Sequence, residues 1–140
     1  MKKIKKYIKN NKIRINTSPT LRLSELIVEY ASDYINLGDT TEERQNFLNG
    51  ACTAWNIANL QSHLREKALL QSAEQYLKMN PGIDNAENYL HDMKILIQKK
   101  LQMYPNITKT IVNAFVEPLN DTQYQINVIS TDNPKALKSC

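Results

Sequence analysis

Glycine is scarce in this 140-residue sequence, occurring only at positions 38, 50 and 82. No Gly-rich strand-to-helix turn that cradles phosphate can be assembled from three such isolated positions, which argues against a nucleotide-dependent enzyme. Cysteine occurs twice, as Cys52 and Cys140, too few for a disulfide framework, and this favours a reducing, cytoplasmic setting. Histidine also occurs twice, as His63 and His91, without His-x3-His, Cys-x2-Cys or His-Glu-x-x-His spacing. Structural zinc needs four nitrogen or sulfur ligands brought together, which this spacing does not suggest, so neither a metal nor another cofactor is expected. The longest unbroken apolar run is three residues, as in Leu26-Ile27-Val28, so neither a membrane-spanning helix nor a signal peptide is expected.

What the sequence does have is an uneven charge. Lys and Arg number 18 against 14 Asp and Glu, a formal net charge of +4. Residues 1–16 contain Lys2, Lys3, Lys5, Lys6, Lys9, Lys12 and Arg14 and no acid; without their +7, residues 17–140 carry −3. The chain reads as a basic N-terminal arm (1–16), one globular domain (17–131) and a flexible tail (132–140). The composition, 41% hydrophobic and 23% charged, is that of a globular domain. At this length a core can form without staples.

Hydrophobic periodicity predicts four helices, packed as an antiparallel bundle-like body. The first spans about 19–37: Ser18 suits an N-cap, Pro19 the first helical position, and Leu23, Ile27, Tyr30, Tyr34 and Leu37 recur at spacings of three and four. Gly38 suits the position just past its end. The second, about 41–60, opens on a capping box of Thr40 and Glu43 and carries Phe47, Leu48, Ala51, Ala54, Trp55 and Ala58 on a broad face. Gly50, inside it, is explained by a second helix crossing closely there. The third, about 62–79, follows Leu64, Ala68, Leu69, Ala73, Tyr76 and Leu77 and stops ahead of Pro81. The fourth, about 85–103, begins at an Asp84–Glu87 capping box, and its Lys99 and Lys100 complement the negative end of the helix dipole. No second copy of the Trp55–Pro81 helical stretch follows at a spacing of about 34 residues, which excludes a solenoid.

The period then changes. Thr110 to Val116 is rich in β-branched and aromatic residues, and Tyr124, Ile126 and Val128 alternate with polar neighbours. With Pro118, Asn120 and Asp121 between them, the two runs predict a C-terminal β-hairpin at about 110–117 and 122–130. A hairpin alone is marginal in water, so it must pack on the helices or pair with further strands. Lys12-Ile13-Arg14-Ile15 also alternates and offers such a strand near 12–16. The fold class is therefore α+β.

Chemistry is thin. Cys52 lies between Ala51 and Ala54, as a buried structural thiol would. Glu42 and Glu43 complement the dipole at a helix start, and Glu25 and Glu29 fall on a solvated face. No catalytic set emerges. The expected function is that of a non-enzymatic protein–protein interaction module, an adaptor, regulator or inhibitor. Tyr30, Tyr34, Trp55 and Tyr124 are its candidate partner-binding residues, since tyrosine and tryptophan are enriched in such contacts. The hairpin's open edge is a place where a partner strand can add, and homodimerisation is a secondary expectation. The alternative is a small nucleic-acid-binding regulator, with Lys2, Lys3, Lys5, Lys6, Lys9, Lys12 and Arg14 as the polyanion contacts.

Overall fold

The computed structural model describes residues 19–120 and 123–132. The expected basic arm, the strand expected near 12–16 and residues 133–140 of the expected tail lie outside them. Six elements follow in order: α1 (Pro19–Ile35), α2 (Thr41–Ala58), α3 (Ser62–Met79), α4 (Glu87–Met103), β1 (Thr110–Pro118) and β2 (Tyr124–Thr131). The architecture is α+β, four helices and a C-terminal antiparallel hairpin, as the change of hydrophobic period predicts.

Local chemistry accounts for most element ends. The α2 capping box forms: the Glu43 backbone N–H donates to Thr40 Oγ1 at 3.1 Å, and the Thr40 N–H donates back to Glu43 Oε1 at 3.2 Å. The expected Asp84–Glu87 box at α4 does not form. There the Glu87 N–H donates to Asn85 Oδ1 at 3.0 Å, and the helix starts at Glu87 rather than at 85. Helix α1 ends at Ile35, two residues before the expected 37, and Leu37 lies exposed. No glycine has a positive φ, so Gly38 is not a left-handed cap. A Cβ there would sit 2.9 Å from the Arg44 backbone nitrogen, so glycine lets the chain turn back tightly against the first turn of α2. The close crossing expected at Gly50 is absent, because nothing lies within 4 Å of a Cβ built there.

Packing centres on α2, which touches α1, α3, α4 and β1. Its buried residues are Leu48, Ala51, Cys52, Ala54, Trp55, Ile57 and Ala58, and Glu42, Asn46 and Asn49 stay exposed on the opposite side. Helix α3 is peripheral. It buries only Leu69 and Ala73, while Leu64, expected in its apolar stripe, is exposed. Stacked Tyr76 and Tyr89 rings, 4.4 Å apart, join α3 to α4. The hairpin lies across the first two helices, β1 on α2 and β2 on α1. Its inner face buries Ile111, Ala114, Val116, Tyr124, Ile126 and Val128. A β-bulge between Ile111 and Asn113 inserts Val112 as an extra residue on β1.

Candidate functional site

Three of the four aromatic candidates are core residues. Tyr30 and Trp55 are 0% exposed and Tyr124 is 2% exposed, so their rings offer no surface to a partner. Tyr30 and Trp55 meet edge to face with centroids 5.3 Å apart, and Tyr104 closes the cluster 5.7 Å from Trp55. Two polar tips are spent inside the fold, Tyr30 OH donating to Leu96 O at 2.8 Å and Trp55 Nε1 to Lys109 O at 3.0 Å, while the buried Tyr124 hydroxyl has no hydrogen-bond partner among the described residues. Burial pushes the Tyr30 and Tyr124 hydroxyls far above the usual tyrosine range, Arg44 partly opposing the shift at Tyr124 from 4.9 Å over its ring. Tyr34 alone stays half-exposed; burial raises its pKa first, then the carboxylates of Asp92 and Asp33.

Lys100 also departs from its expected role. It is not a solvated dipole partner at a helix end but a core residue, 1% exposed. Its ammonium donates to Asn59 Oδ1 at 2.7 Å and to Ile107 O at 2.6 Å, and it lies 5.0 Å from the centre of the Trp55 ring. Two oxygens and a ring face thus occupy the surroundings of a three-donor group. Burial lowers the Lys100 pKa, with Arg65 adding to the effect. Asn59 also donates to Lys109 O at 3.1 Å, so the cluster fastens the lead-in to β1 onto α2 and α4. This is a structural clasp, closed to solvent. Lys99, its neighbour, donates to Tyr30 O at 2.8 Å and ties α4 to α1.

The hairpin edge on β1 is not open to a partner strand. Two carboxamides of α2 pair with its backbone as a neighbouring strand would. Gln45 Nε2 donates to Ala114 O at 2.9 Å, and Gln45 Oε1 accepts from Val116 N at 2.7 Å. Asn56 does the same at Ile111, donating to its carbonyl and accepting from its N–H, both at 2.8 Å. On β2 the Val128 N–H donates to Ser24 Oγ of α1 at 2.9 Å. Sequence reasoning missed Gln45 and Asn56, because nothing in helical periodicity separates them from solvated amides.

What the hairpin does present is its outer face. Val112 is 60% exposed, Phe115 40% and Ile129 49%. Around them lie Asn113, Gln125 and Asn127, all uncharged, with Phe115 paired to Asn127 and Asn113 to Ile129. Glu117, opposite Gln125, is the one charged residue on this face within the strands.

Other places carry less chemistry. Cys52 is buried, and its thiol is pushed up to about 12 by that burial, which keeps it protonated and poorly nucleophilic at neutral pH. His63 and His91 are exposed on different helices. Among the described residues no three His, Cys, Asp or Glu side chains are grouped to hold a metal, and no helix is long and apolar enough to cross a membrane. A cleft of about 260 Å³ between α3 and α4 is lined by Arg65, Glu66, Leu69, Lys94, Ile97 and Gln98, a mixed surface without a nucleophile–base pair. The chain matches no family model, no curated protein and no solved structure.

Proposed function

We propose that this chain is a non-enzymatic protein-interaction module, acting in the cytoplasm, and that it docks through the outer face of its hairpin. The observation that carries this reading is the exposure of Val112, Phe115 and Ile129 together on a rigidly backed sheet. Exposed apolar side chains that share one face mark contact surfaces more often than isolated ones do. Backbone hydrogen bonds to α2 hold that sheet in place, so docking needs little ordering of the surface, and preorganisation favours affinity. The buried, protonated Cys52 supports the non-enzymatic part of the reading. The second reading, a nucleic-acid-binding regulator, rests on the seven cations and no acid of residues 1–16.

One set of affinity captures from the native cell, at low and physiological salt, tests both. Wild type, Phe115→Glu and a chain lacking residues 1–16 serve as baits, with mass spectrometry and nucleic-acid staining as readouts. Loss of protein partners in Phe115→Glu, with their retention in the deletion, supports the module. Retained partners in Phe115→Glu refute docking at this face. Nucleic acid that is lost above about 200 mM salt and absent from the deletion supports the second reading.

A further inference from the structure

We draw no further inference here: the strongest candidate, the exposed apolar patch of Val112, Phe115 and Ile129 on the hairpin's outer face, is the docking face already proposed, and nothing in the structure shows what covers it.

Discussion

The sequence reads Gly38 as a stop just past a helix and Gly50 as the site of a close helix crossing, and the fold revises both. At Gly50 a methyl group meets open space, so alanine there gains helix propensity without a clash. Gly50→Ala should stabilise the protein by about 0.5–1 kcal/mol. At Gly38 the same methyl would press on Arg44 N at 2.9 Å and the Glu43 carbonyl carbon at 3.2 Å, backbone atoms inside a capped helix start. Gly38→Ala should destabilise by about 1–3 kcal/mol, the range for forcing extra atoms into a packed site. Urea unfolding of the two variants checks both signs at once. Equal effects would mean that the turn at Gly38 relaxes freely. Lys100 teaches a related lesson. A lysine in the last helical turn reads as a dipole partner, and only the approach of Asn59 and Ile107 makes it a buried donor.

At the scale of elements, the hairpin depends on α2 for more than apolar contact. Gln45 and Asn56 close four backbone groups of β1 that a two-stranded sheet would leave unpaired. Gln45→Ala and Asn56→Ala should each cost about 1–3 kcal/mol, because each strands a part-buried N–H and carbonyl. Hydrogen exchange should locate the damage, with Val116 exposed in the first variant and Ile111 in the second. Faster exchange spread evenly over the chain would instead point to general loosening. These amides were illegible in the sequence because their partners lie 71 and 55 residues away. The helical stripe that contains Trp55 and the alternation of Tyr124, Ile126 and Val128 were legible as patterns, because a period of 3.6 or of two is carried by one segment. The same local context could not rank Tyr30, Trp55 and Tyr124 as buried against Phe115 as exposed.

For the whole molecule, burial of thiol and phenol groups sets the response to alkali. The Cys52 thiol moves from 9.0 to about 12 on folding. Between those values the unfolded chain releases the proton and the native chain keeps it, so stability falls as pH rises. The slope for one such group is at most about 1.4 kcal/mol per pH unit. Tyr30 and Tyr124 act in the same direction above pH 10.0. Lys100 opposes them. Its native ammonium deprotonates before the unfolded one, so it adds stability as pH climbs from its lowered value to 10.5. With several acids against one base, thermal unfolding should shift steeply downward above about pH 9. In Cys52→Ala the slope between pH 9 and 10 should shrink. A midpoint that holds level to pH 11 would contradict the burial of these groups.

Four helices, a hairpin and the buried face of β2 followed from the sequence alone, since they arise from spacing along a single element. Which residues face outward on β1 did not. A strict period of two through Ile111 puts Asn113 and Phe115 on the inner face with it. The extra residue at the bulge reverses that parity, so Ala114 and Val116 turn toward the helices and Phe115 turns to solvent. The bulge belongs to the packing of two distant segments: α2 holds β1 at Ile111 on one side of it and at Ala114 and Val116 on the other. The proposed interaction surface exists because of that tertiary arrangement.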